Sequence, residues 1–325
     1  MTPATDKPVS APLIFVGGTG RSGTHIVADL IGRHSKLHAI PIECRFHANP
    51  KGLADVVTGA ATPSDFATKI RRYWWHRVRV GGRALVRARW RARGEGKERG
   101  LHKILEREQF EDAVGRFEAA TAGIDDGTQP EVAAAARALF FELLGPQAER
   151  AGKPGLVEMS CFTIASAPGL ARIFPDALFV HSVRDGRDSG SSKVSKRQKS
   201  HHPSDAATGV DWWAGRLELA ERGYRGMPDS SRLHAVCLDE LVWGDREPSY
   251  AGLAAFCGLG GEEAMRAFFD EEMNASNAHR ERWREGLSEA EQAAVVERYE
   301  TTLTRIEAEG YHCADLLRRS YERAS

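Results

Sequence analysis

A short apolar run, Leu13-Ile14-Phe15-Val16, feeds a glycine-rich turn, and the turn opens into an amphipathic segment that starts at Ser22-Gly23-Thr24-His25. From Leu13 to Arg33 the chain therefore reads as strand, loop and helix, the unit from which parallel α/β sheets are wound. The first turn of a helix leaves backbone N–H groups unpaired, and the macrodipole adds partial positive charge there. Glycines let the backbone close around phosphate-like oxygens, so the unit is built to hold an anion.

The spacing from Gly18 to Gly23 fits the opening of a Walker loop, yet Thr24 stands where that loop carries its lysine. The cation has moved inside the turn, to Arg21. His25 occupies the place of the hydroxyl that would hold magnesium, so a nucleoside triphosphate with its metal is a poor match.

At 325 residues the chain suits one α/β domain with an insertion. Lys+Arg and Asp+Glu stand at 45 each, which leaves no global field to attract nucleic acid. Charge is nevertheless uneven: Lys69 to Lys103 holds thirteen Lys/Arg against Glu95 and Glu98. No stretch is long and apolar enough to span a bilayer, and the N-terminus lacks the pattern of a secretory signal. Five scattered cysteines, Cys44, Cys161, Cys237, Cys257 and Cys313, point to a reducing cytoplasm and no zinc site.

Three more segments read as buried parallel strands: Gly155 to Met159, Ala177 to Val183 and Leu233 to Cys237. Helices are expected over Pro130 to Arg150, Asp211 to Tyr224, Pro248 to Cys257 and Glu289 to Glu309. The predicted fold is α/β, three-layered around a central parallel sheet, with a mostly helical, basic insertion at about 49–129.

A second anion cradle follows the strand at Ala177 to Val183. Arg184 stands at the strand's carboxyl end, and Ser192, eight residues on, falls in the helix that follows the turn. Ligands of open α/β sheets bind at the carboxyl ends of strands, so both cradles should open on one crevice. A planar arginine fork and a hydroxyl suit a phosphate.

These residues carry a resemblance to the PAPS-dependent sulfotransferases. GTGRSGTH resembles the arginine variant of their first signature, and Arg184 to Ser192 has the spacing of their second. The Arg-Asp-Gly-Arg wording at Arg184 to Arg187 is similar to the protein-tyrosine and carbohydrate branches, and bacterial members share the first signature. The resemblance covers Leu13 to Arg45 and Leu156 to Lys196 well, and implies a P-loop-like fold. It implies that Arg21, Ser22, Gly23 and Thr24 hold the phosphosulfate of PAPS, with Gly20 and His25 also in the cofactor-binding set, and that Arg184 and Ser192 hold its 3′-phosphate. It further implies in-line transfer to an acceptor hydroxyl with no metal, leaving adenosine 3′,5′-bisphosphate.

On the same likeness Glu43 is the base, and Arg45 orients it or the acceptor. His47 and His25 compete for the role of base, and His47 is also a candidate acceptor contact. Glu158 stands at the spacing where the protein-tyrosine branch has a lysine, so Arg21, Ser160 or an arginine of the insertion is left to hold the sulfonate. That departure favours a glycan, lipid-linked sugar or natural product over peptidyl tyrosine as acceptor. Arg280 and Arg284, in a late basic segment, are candidates to lie over the nucleotide. Trp212-Trp213 reads as core first and adenine platform second. The basic run at 69–93 has three readings: a solvated face anchored by tryptophans, a cap over the crevice, or contact with a membrane surface. Nothing in the chain specifies an oligomeric state. A small-molecule kinase and a non-catalytic nucleotide-binding module remain the alternatives.

Overall fold

The computed structural model describes residues 12–75, 100–124, 126–195 and 203–323. Five strands form one sheet: β1 (Leu13–Gly18), β2 (Leu37–Ala39), β3 (Gly155–Met159), β4 (Leu178–Val183) and β5 (Leu233–Cys237). Their order is β2-β3-β1-β4-β5, and every pairing is parallel. β1 lies at the centre with all six residues buried, which is why it carries an unbroken apolar run.

Side chains alternate across β1 and so reach two different cores. Leu13 and Phe15 pack with Phe140, Phe174 and Phe179 on one face, while Ile14 and Val16 pack with Val27, Leu30, Leu253 and Phe269 on the other. Helices cover both faces: α1 (Thr24–Gly32), α2 (Leu53–Val57), α3 (Pro63–Lys69), α4 (Arg107–Ala120), α5 (Pro130–Arg150), α6 (Ala167–Ile173), α7 (Gly186–Val194), α8 (Ala206–Arg225), α9 (Leu238–Val242), α10 (Arg246–Phe256), α11 (Glu263–Glu272), α12 (Glu289–Ala308) and α13 (Ala314–Glu322). The result is the three-layered α/β architecture expected from the sequence.

The β2 strand is three residues long, too short to show a period, and the sequence reading passes over it. α8 begins earlier than expected because Asp205 and Thr208 form a reciprocal capping box. In the insertion, a π-helical turn at Ile70–Trp74 continues α3 and a 3-10 turn at Leu101–Lys103 precedes α4. Trp74 and Trp75 are buried in the core, and Arg71 is paired with Glu111 and Glu118. The rest of the basic run proposed for membrane contact, 76–93, lies outside the described residues. Among the described residues no helix is long and apolar enough to cross a membrane.

Candidate active site

The register sets Gly18 of β1 opposite Ser182 of β4, so the two predicted cradles leave the sheet side by side. Ser182 Oγ donates to the Ser22 carbonyl at 2.6 Å, and Gly18 N–H donates to the Cys161 carbonyl at 3.2 Å, tying the loop to both neighbouring strand ends. A Cβ on Gly18 would lie 2.4 Å from the Ser182 carbonyl oxygen and 2.4 Å from Ser22 Oγ, so only glycine fits. The turn is made by left-handed backbone at Gly20 (φ 84°), Arg21 (φ 64°) and Gly23 (φ 82°). Glycine adopts that region freely, whereas Arg21 does so at a conformational cost.

Arg21 Nε donates to Ser192 Oγ at 2.9 Å across 171 residues of sequence. The first cradle and the far end of the second are therefore one site. Ser22 and Thr24 are buried, and Ser22 Oγ has no hydrogen-bond partner. His25 is exposed, with Nε2 3.7 Å from Glu43 Oε1.

Glu43 lies against the loop. Its Oε2 accepts from Arg45 Nε at 2.7 Å, and its Oε1 accepts from the Cys161 thiol at 3.3 Å. Burial, reinforced by the Glu43 charge, pushes that thiol up to about 12. Arg45 has left-handed backbone (φ 66°), and its N–H donates to Ser160 Oγ at 3.1 Å. Ser160 in turn donates to Glu158 Oε1, which also accepts from Cys44 N–H. Ser160 and Glu158 thus brace the turn that carries Glu43. His47 is wholly buried, stacked on Phe15, with Nε2 2.8 Å from Glu158 Oε2 but without the alignment of a hydrogen bond. It belongs to this bracing, out of reach of an acceptor in the crevice.

Arg184 leaves the end of β4 with little exposure. Its Nη2 meets Asp188 Oδ2 at 3.4 Å and the His279 carbonyl, while Nε stands 3.6 Å from Asp239 Oδ1 and has no hydrogen-bond partner. Burial raises the carboxyls of both Asp188 and Asp239, the latter to about 6. Asp188 also accepts from the backbone N–H of Glu281 and of Trp283, which hangs the late basic segment beside Arg184. Arg280 there lies over the Trp243 ring at 5.9 Å and helps to line a cavity of about 190 Å³ with Asp239, Glu240 and Asp245. Arg284 is spent on Glu281 and Gln292.

Two cations that the sequence reading missed reach the same crevice. Lys193, one residue past Ser192, lies over Trp212 at 5.1 Å, and Arg216 lies over Phe162 at 4.4 Å and Trp212 at 5.8 Å. Trp212 also borders the loop, since a Cβ on Gly20 would meet its ring at 3.6 Å. Trp213 points elsewhere and is wholly buried in a third apolar cluster, with Val183, Leu217 and Tyr299. One signal was available: Trp212 and Arg216 are four apart on a helix, and so share a face.

His181, His312 and Cys313 form a cluster with metal-ligand chemistry under α8. His312 spends both ring nitrogens on protein, one 2.9 Å from His181 Nδ1 and one 2.6 Å from Glu221. That marks a hydrogen-bonded core network.

A family model described as the sulfotransferase family matches residues 12–263. Similar solved structures include the sulfotransferase domain of the Synechococcus PCC 7002 olefin synthase, at 16% identity and TM-score 0.45, covering 91% of this chain and 96% of that one. The sulfotransferase STF1 of Mycobacterium tuberculosis is 14% identical with TM-score 0.44, covering 89% of this chain and 76% of that one. A sulfotransferase domain from the curacin biosynthetic pathway is 13% identical with TM-score 0.45, covering 80% and 77%. No curated protein sequence gives a significant match.

Proposed function

The chain belongs to the sulfotransferase family, and we propose that it moves a sulfuryl group from PAPS to an acceptor hydroxyl with Glu43 as base. The observation that carries this reading is the Arg21–Ser192 hydrogen bond, which joins a phosphate-type loop to a second anion cradle with Glu43 beside it. The residues fit a donor with two separated anions. Ser22 Oγ and Arg184 Nε are buried without hydrogen-bond partners, and the loop's glycines leave no Cβ between backbone and ligand.

PAPS, when bound, supplies the sulfuryl group and a nucleotide leaving group. Arg21 and the N-terminus of α1 meet the charge that grows on the departing oxygen, the kind of donor worth about 3 to 4 kcal/mol. Arg184, Ser192 and Arg280 hold the 3′-phosphate end. Glu43 Oε2 is clamped by Arg45, which fixes the carboxylate plane and directs Oε1 toward the loop. From there it takes the proton of the attacking hydroxyl. Ser160 is spent on Glu158 and on the Arg45 N–H, so Arg21 is the residue left to meet the sulfonate in place of the lysine that Glu158 replaces.

Isothermal titration with adenosine 3′,5′-bisphosphate, paired with radiolabelled transfer from PAPS, tests the reading. Glu43→Gln is expected to bind the bisphosphate like the parent and to lose about 100-fold or more in transfer. Parent-level transfer by Glu43→Gln refutes the base. A preference for ATP with magnesium over the bisphosphate refutes the donor.

A further inference from the structure

Resting on that reading, we infer that the acceptor itself carries an oxyanion, a carboxylate or phosphate close to the accepting hydroxyl, and that Lys193, Arg216 and Trp212 form the subsite that receives it. The donor cradles do not account for these cations. Lys193 and Arg216 face Trp212 and Phe162, and no carboxylate among the described residues pairs with either. Both are half-buried over aromatic rings; burial holds the Arg216 guanidinium below its ordinary range, and Lys193 is lowered by burial and by Arg216 beside it. Cations partly withdrawn from water without anions carry a desolvation cost, and proteins pair them or use them.

Their position selects the acceptor side. Phe162 follows Cys161, whose thiol touches Glu43, and the Arg216 charge is felt by Cys161 and Arg45. Trp212 closes the set against Gly20 of the loop. By contrast, Arg184 and Arg280 lie toward Asp239 and Asp245, and neither contacts Trp212 or Phe162. An arginine stacked on an aromatic ring can present its planar edge to an oxyanion, and the rings offer a flat face to the body that carries it.

The test saturates the protein with adenosine 3′,5′-bisphosphate and titrates two phenols that differ in one charge, 4-hydroxybenzoate and 4-hydroxybenzamide. The acid is expected to bind at least tenfold more tightly. In Lys193→Gln/Arg216→Gln that preference falls below twofold, and Lys193→Arg/Arg216→Lys keeps most of it. Equal or undetectable binding of the two phenols by the parent overturns the inference, and so does an undiminished preference in the glutamine variant. Failure of the parent to bind the bisphosphate sinks the donor reading instead, and is read in the same samples before either phenol is added.

Discussion

The proposed donor half of the crevice and its proposed acceptor half are built by different means. The donor half is mostly backbone: a glycine turn, one arginine inside it, and the starts of two helices, all packed on strands that lie side by side. The acceptor half is mostly side chains, with Glu43 and Arg45 from the turn after β2, Phe162 from the loop after β3, Lys193 from α7 and Arg216 from α8. Backbone cradles are local and repeat from one chain to the next, whereas side-chain pockets are assembled from distant segments. A chain that keeps the first can therefore change the second without losing the donor.

The sharpest way to break this contrast is Arg21→Ala. It removes the cation of the donor half and is expected to cost about 10²- to 10³-fold in turnover. Bisphosphate binding should weaken as well, while the acid-over-amide preference for phenols stays with Lys193 and Arg216. Loss of that preference in Arg21→Ala would show that the two halves are one pocket. Ser192→Ala comes next. It removes the hydroxyl that Arg21 meets and should weaken bisphosphate binding about tenfold by titration calorimetry, the range for a hydrogen bond to a charged group.

The smallest effect concerns Asp239, which burial beneath Arg184 raises to about 6. An unfolded chain titrates aspartate near 4, so the folded protein holds this proton more tightly. Stability should therefore fall as pH rises from about 4 through about 6, and Asp188 acts with the same sign. Urea unfolding at pH 5 and pH 7 should show a smaller loss for Asp239→Asn than for the parent, by about 1 kcal/mol. An equal loss would mean that the acids under Arg184 do not strain the donor half.

The same division decides how much can be read from the sequence. Four strands, the loop at Gly17–Gly23 and the pair Arg184 and Ser192 are legible because each is written within one segment, as apolar runs, glycines or fixed spacing. β2 is too short to carry a period. Lys193 and Arg216 are ordinary helix charges until the fold sets them over Trp212 and Phe162, and the i, i+4 spacing of Trp212 and Arg216 is the one local mark. His47 shows the reverse: it reads as a free histidine near Glu43, and the core encloses it against Phe15 and Glu158. Trp212 and Trp213 stand side by side in sequence and enter different surroundings, since adjacent residues on a helix lie about 100° apart.

One helix bears on any attempt to redirect the enzyme. In α7, Arg187 is buried among Trp283, Tyr299 and Tyr321, and Asp188 carries the late loop; Ser192 and Lys193 face the crevice. Gly190 meets Gly209 of α8 so closely that a Cβ would fall 2.4 Å from its backbone. A helix sutured on every side cannot be retuned by tilting. Libraries seeking new acceptors belong on the exposed turns of α8 around Arg216 and at Phe162, where a changed side chain alters the pocket and leaves the donor's cradle as it was.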